Sequence, residues 1–165
     1  MKVCHLTSVH TRYDTRIFLK ECSSLATNGH EVSLIVADDL GDELKGGVKI
    51  HDVGKNNSGR LSRFTKTTRN VFRKAIGIDA DVYHFHDPEL MPFAYLLKLK
   101  GKKVIYDAHE DLPRQLLSKP YLGKVSKKIL SFLIEKIENF FASRFTAIIT
   151  ATPFIKCRFL KLNNY

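Results

Sequence analysis

Short apolar runs alternate along this chain with longer stretches of helical periodicity. Lys2–Thr7, Glu31–Ala37, Val48–Val53, Val82–His86, Lys103–Ala108 and Thr146–Ala151 read as strands, the second of them almost continuously apolar. Thr15–Asn28 sets Phe18, Cys22 and Leu25 on one helical face and stops at Gly29. A second helix is predicted from about Leu61 to Ile76. Its apolar face is Leu61, Phe64, Thr68, Val71, Phe72 and Ala75, and Arg63, Lys66, Arg69 and Arg73 lie opposite. Pro88–Lys100 reads as a third helix and Tyr121–Ala142 as a long amphipathic helix or helix pair. A last helix follows Thr152-Pro153 and reaches about Leu162. Strands spaced by helices imply βαβ crossovers and a mostly parallel sheet. The predicted class is α/β, Rossmann-like and doubly wound, in one domain spanning residues 1–165. Lys55–Gly59 is the expected mobile loop.

Two strands end in clustered polar groups. Asp81-Val-Tyr-His-Phe-His-Asp-Pro88 is an apolar strand that runs into two imidazoles and a carboxylate. Alternation puts His84 and His86 on one face, with Asp87 as expected N-cap and Pro88 at the first helical position. Val104-Ile-Tyr-Asp-Ala-His-Glu-Asp111 repeats the arrangement. In open α/β sheets ligands bind beyond the carboxyl ends of the strands, so both segments point to one site. His86, at the strand end, is the functional candidate, and His84 is expected to pack beneath it.

The first strand-to-helix turn, Ser8-Val-His-Thr-Arg-Tyr-Asp-Thr-Arg16, has no glycine. A dinucleotide fingerprint needs glycines for close backbone approach to a pyrophosphate, and a Walker loop is absent too. His10, Arg12, Asp14 and Arg16 offer side chains instead: Arg12 and Arg16 as phosphate or ligand contacts, Asp14 as ligand contact or helix cap.

Charge narrows the partner. The 165 residues carry a net +10, with seven basic and no acidic residues from Lys55 to Lys74 and a second basic region from Arg114 to Arg144. Such a balance suits an anionic partner or a biased solvated face. The basic helix lacks interleaved aromatics and any nucleic-acid motif, so no nucleic acid is expected. Lys124, Lys127 and Lys128 border Ile129, Leu130, Phe132, Leu133 and Ile134, a pattern suited to an interfacial membrane helix or to ordinary core packing.

Cys4, Cys22 and Cys157 have no CxxC spacing and are expected to be reduced, without a structural zinc. No secretory signal is read at the N-terminus, so a cytoplasmic protein is expected, peripheral at the inner membrane face. The last helix ends with no strand to receive it, as at the edge of a larger two-domain protein or at a natural terminus. A metal on His84 and His86, aided by Asp87, His109, Glu110 or Asp111, is not expected. HExxH is missing, and Asp87 follows His86 too directly for an HxHxD pattern.

These segments together resemble the N-terminal half of GT-B-fold glycosyltransferases of the retaining family four. The matching stretches are Asp14-Thr-Arg-Ile-Phe-Leu-Lys-Glu21, Leu25-Ala-Thr-Asn-Gly-His-Glu-Val32, Asp81–Pro88, Tyr106-Asp-Ala-His-Glu-Asp111 and Ile148-Ile-Thr-Ala-Thr152. The resemblance implies the acceptor-side domain of an enzyme whose other domain holds the nucleotide-sugar donor. It also implies no cofactor and no metal, with a UDP- or GDP-linked sugar bound mainly by that other domain. Two glutamates with seven residues between them mark the donor domain, and no pair here has that separation. His86 corresponds to a strand-end histidine that orients the transferred sugar. His109 corresponds to a second polar position lining the cleft, and the His10–Arg16 loop to a contact with acceptor or donor phosphate; Asp87 and Glu110 are further substrate-binding candidates at the same strand ends. The glycine pair many relatives carry in that first turn is missing. The expected function is sugar transfer to a glycan or lipid-linked acceptor in polysaccharide biosynthesis. A non-catalytic module that binds a phosphorylated sugar or lipid is the alternative, and a metal-dependent hydrolase a third reading.

Overall fold

A computed structural model describes residues 1–55, 63–120 and 123–162, without the side chains of Arg63 and Phe64. Residues 56–59 of the expected loop, the expected helix start at Leu61, the anion-site side chain of Arg63 and the helix start at Tyr121 lie outside the described residues.

Seven strands form one sheet: β1 (Lys2–Leu6), β2 (Glu31–Val36), β3 (Glu43–Lys45), β4 (Val48–Asp52), β5 (Val82–Phe85), β6 (Lys103–Ala108) and β7 (Ala147–Thr150). Their order is β3-β4-β2-β1-β5-β6-β7, parallel except for β3, which pairs antiparallel with β4. The chain steps from β1 to β2 in one direction and from β4 past β1 to β5, β6 and β7 in the other. Right-handed crossovers therefore place the connecting helices on opposite faces. Helix α1 (Thr15–Cys22, continuing over Ser23–Thr27) covers one face, where Ile17, Phe18 and Cys22 meet Val32, Leu34, Val36, Val48 and Ile50. The other face carries α2 (Arg63–Thr67, continuing over Thr68–Ile78), α3 (Pro88–Leu90, continuing over Met91–Leu99), α5 (Lys124–Ala142) and α6 (Pro153–Phe159). Their core includes Cys4, Leu6, Val71, Ala75, Tyr83, Phe85, Val104, Tyr106 and Phe159. Burying each of the large side chains contributes about 1.5–3 kcal/mol.

The predicted α/β class and all six predicted strands are present. Two elements are additional: the three-residue β3, and α4 (Leu112–Ser118), opened by Pro113 in its first turn. Both are too short for hydrophobic periodicity to register. Gly29, at φ 79°, ends α1 in the left-handed region where a side chain would strain the backbone.

Residues Thr15–Cys22 are wound as a π-helix. Asp14 starts it: its carboxylate accepts from the Arg16 and Ile17 amides, and its carbonyl accepts from both Phe18 and Leu19. This i→i+5 winding brings Arg16 and Glu21 to one side of the helix, with Arg16 Nε 3.4 Å from Glu21 Oε1.

Candidate functional site

The order in which strands are added reverses between the parallel neighbours β1 and β5, and the crevice beyond the strand ends there is where an open α/β sheet binds ligands. The polar groups cluster at that point. His5 and His84 are register partners across β1 and β5, and His86 follows two residues on. On the α1 face the His5 ring lies 4.7 Å from that of His84 and 5.3 Å from that of His86. His5 Nδ1 and His86 Nε2 are 3.0 Å apart, and His86 Nδ1 meets Asp107 Oδ2, also at 3.0 Å. Arg16 grips Asp107 as a bidentate fork, Nε to Oδ2 at 2.8 Å and Nη2 to Oδ1 at 2.6 Å.

Burial sets the protonation states. It pulls the imidazoles down, His5 well below the ordinary histidine value and His84 to about 3, with the neighbouring imidazoles adding to the effect. His86 is lowered by burial against the pull of Asp107. Burial works against the Asp107 carboxylate, but hydrogen bonds from His86 and Arg16 outweigh it and hold the group below the carboxylate range. Glu21 is pushed up to about 7 by burial and by the Asp107 charge.

Above this cluster is a groove of about 580 Å³. Its polar wall is His10, Asp87, Glu89, His109 and Glu110, and its apolar wall is Pro92 and Phe93 of α3 with Ile134, Ile137 and Phe141 of α5. The rings of His10 and His109 meet edge to face at 5.2 Å. His10 Nε2 also lies 3.4 Å from Asp87 Oδ1.

The anticipated residues thus divide. His10, Asp87, His109 and Glu110 line the groove, whereas His86, Arg12, Asp14 and Arg16 do not. His86, expected at the rim, is fully buried beneath it and closed off by His5 and Asp107. Arg12, expected as a phosphate contact, is 4% exposed and saturated by Asp38, Glu43 and the Gly41 carbonyl. It ties the first turn to the loop after β2. Arg16 is spent on Asp107 and Glu21, and Asp14 caps α1 while facing His10 at 3.4 Å. Asp87 makes no cap; its carboxylate turns back to accept from Thr7 Oγ1 and from the amide and hydroxyl of Ser8. Thr7, Ser8, His5 and Glu21 went unnoticed as site residues because their partners lie on other strands. Lys66, Arg69, Arg73, Lys124 and Lys128 are exposed, and Lys127 is half-buried. Among the described residues, donor atoms of His5, Glu21, His84 and His86 converge to within 4.8 Å of one another. That set differs from the ligands weighed in the sequence around His84 and His86.

Residues 5–164 match the family described as Glycosyltransferase Family 4. The chain belongs to that family. No curated protein matches the chain in sequence. In fold it is similar to sucrose-phosphate synthase from Thermosynechococcus elongatus, with a TM-score of 0.67 and 11% identity, covering 97% of this chain and 44% of that one. An E. coli structure described as trehalose-6-phosphate bound with UDP-2-fluoro glucose gives 0.59 and 10%, covering 98% and 42%. The α,α-trehalose-phosphate synthase (UDP-forming) of Burkholderia xenovorans, in complex with glucose-6-phosphate, gives 0.58 and 10%, covering 99% and 43%. The chain therefore spans less than half the length of the structures it matches, and corresponds to the N-terminal domain of a GT-B fold.

Proposed function

We propose that this family 4 domain forms the acceptor wall of a hexosyltransferase that uses a UDP- or GDP-linked sugar and a lipid-linked glycan acceptor. The observation that carries this reading is the two-sided groove at the strand ends. Its polar wall presents acceptors and imidazoles suited to sugar hydroxyls. The carboxylates there, Asp87, Glu89 and Glu110 with Glu138 of α5, favour a hydroxylated acceptor over a free phosphate. Its apolar wall suits a hydrocarbon carrier. His86 acts from below, fixing Asp107 and the strand ends on which His109 sits, and a donor domain facing the groove supplies the nucleotide site.

Helix α5 supports the membrane part of the reading because much of its apolar surface faces away from the fold. Ser131, Glu138 and Ala142 face the fold, and Glu138 accepts from Tyr106 and Arg158. Outward stand Val125 at 71% exposure, Phe132 at 60%, Ile129, Leu133 and Phe140, bordered by Lys124, Lys127, Lys128 and Lys136. Burying such a face costs nothing at an anionic lipid surface, where apolar area and lysines both gain. The same helix lines the groove, so an acceptor's lipid could pass directly to that surface. No helix among the described residues is long and apolar enough to cross a membrane. A non-catalytic binding module would use the same groove and show no turnover.

The test is transfer by the intact enzyme from UDP- and GDP-sugars to a lipid-linked glycan, presented in phosphatidylglycerol vesicles or dispersed in detergent. His109→Ala should raise the acceptor KM about tenfold, the loss of one ligand hydrogen bond. Phe132→Glu should slow transfer in vesicles, not in detergent. An acceptor KM untouched by His109→Ala removes the groove assignment. Rates indifferent to lipid charge and salt remove the membrane contact.

A further inference from the structure

We propose that His5, Glu21, His84 and His86 form a buried, four-ligand site for a divalent transition-metal ion of the zinc type. The four donor atoms lie within 4.8 Å of one another, close to the span of a coordination shell. Glu21 Oε2 stands 3.8 Å from His5 Nδ1, 3.7 Å from His84 Nδ1 and 3.9 Å from His86 Nε2. The first and last of these nitrogens are 3.0 Å apart. A tetrahedral ion with bonds of about 2.0–2.2 Å sets its ligands about 3.3–3.6 Å from one another, so small side-chain shifts close the shell.

The cluster also has unmet polar demand. Glu21 Oε2, the atom that faces all three imidazoles, is buried without a hydrogen-bond partner among the described residues. Three imidazoles packed around an unsatisfied carboxylate oxygen make a costly arrangement for a fold to bury.

The surrounding shell is in place. Asp107 takes the Nδ1 proton of His86, which leaves Nε2 as a lone pair directed into the cluster. That is the carboxylate–histidine arrangement that orients metal ligands, and Arg16 in turn fixes Asp107. Without an ion, His5 Nδ1–H donates to His86 Nε2. With one, that proton moves to His5 Nε2 and both nitrogens bind the metal. Two carboxylates, Glu21 and Asp107, against one guanidinium leave the pocket net negative before an ion enters. Three nitrogens and one oxygen select zinc, cobalt or nickel over magnesium or calcium. All four positions come from protein, so the ion is structural: it clamps α1 onto the ends of β1 and β5, beneath the groove. Entry is past Glu21 and Arg16, whose side chains are 22% and 37% exposed.

The experiment uses the intact protein, stripped with a chelator and titrated with Co²⁺, then with Zn²⁺ in competition. One ion per chain is expected, with the visible d–d bands of four-coordinate cobalt, bleached by zinc, and a melting temperature that rises with zinc concentration. Glu21→Gln, on the accessible side of α1, should keep the cooperative fold and abolish the bands, as should His84→Gln. His109→Gln, in the groove, should leave them intact. Substoichiometric metal in the wild type, or bands that survive Glu21→Gln or vanish in His109→Gln, overturn the proposal. The readout is metal binding, so it stands or fails separately from sugar transfer.

Discussion

Strand β5 shows two solutions to burial back to back. On one side Tyr83 and Phe85 enter the apolar core; Phe85 stacks on Tyr106 at 4.9 Å and meets Phe145 edge-on at 5.1 Å. The Tyr83 hydroxyl donates to the Ala75 carbonyl and accepts from the Ala80 amide, so this strand leaves no polar atom wanting there. On the other side His84 and His86 enter a buried space crowded with imidazoles and carboxylates. The first face is held by shape and area, which do not respond to pH or ions. The second is held by charge and hydrogen bonds and responds to both. One strand thus separates what stabilises the domain from what can be tuned in it.

The comparison can be broken from either side. Phe85→Ala should have the largest effect, a loss of about 3–5 kcal/mol in denaturant unfolding, equal at pH 5 and pH 8. A pH-dependent loss would mean that the two faces are coupled. Asp107→Asn, which unseats both Arg16 and His86, should cost about 2–3 kcal/mol at neutral pH. Asp107 has a depressed native value, so its contribution is complete above the ordinary carboxylate range and fades only in strong acid. An unchanged denaturation midpoint at pH 7 would show that the network carries no stability. Glu21→Gln should be the smallest effect and of opposite sign. With its native value raised to about 7 against about 4.3 unfolded, Glu21 destabilises the protein increasingly as pH rises between those values. In chelator-treated protein the variant should therefore be more stable than wild type by about 1 kcal/mol at pH 8, after allowance for solvent screening, and equal at pH 4. A wild type that stays ahead at pH 8 without metal would show that Glu21 is ionised at no cost.

Local pattern was enough for the six parallel strands and for a polar cluster at the ends of two of them. Val82–His86 and Lys103–Ala108 announce themselves by composition, and the groove-lining His109 and Asp87 follow from ending those strands. What local pattern lacks is register. His5 reads as one more residue of a buried strand until β1 pairs with β5 and sets it against His84, 79 positions away. Glu21 carries no signal of its own in the sequence, and only the packing of α1 on the sheet sets its carboxylate against His5, His84 and His86. Arg12 read as a ligand contact for the converse reason: its acidic partners, Asp38 and Glu43, lie beyond β2 and within a strand too short to anticipate. For α5 the alternation of lysine and apolar residues shows that two faces exist, not which one meets the fold; Glu138 facing Tyr106 and Arg158 decides it.

The wide turn at Thr15–Cys22 has a consequence for how this domain can vary. Arg16 and Glu21 share a side of the helix because the backbone there takes five residues to come round. A one-residue deletion at the outward-facing Leu19 would let the turn relax to ordinary pitch and leave the two at i,i+4 spacing, still on one side. The wide turn therefore absorbs a residue without parting this pair, and the helix can lose one codon there while the sheet and the groove stay as they were.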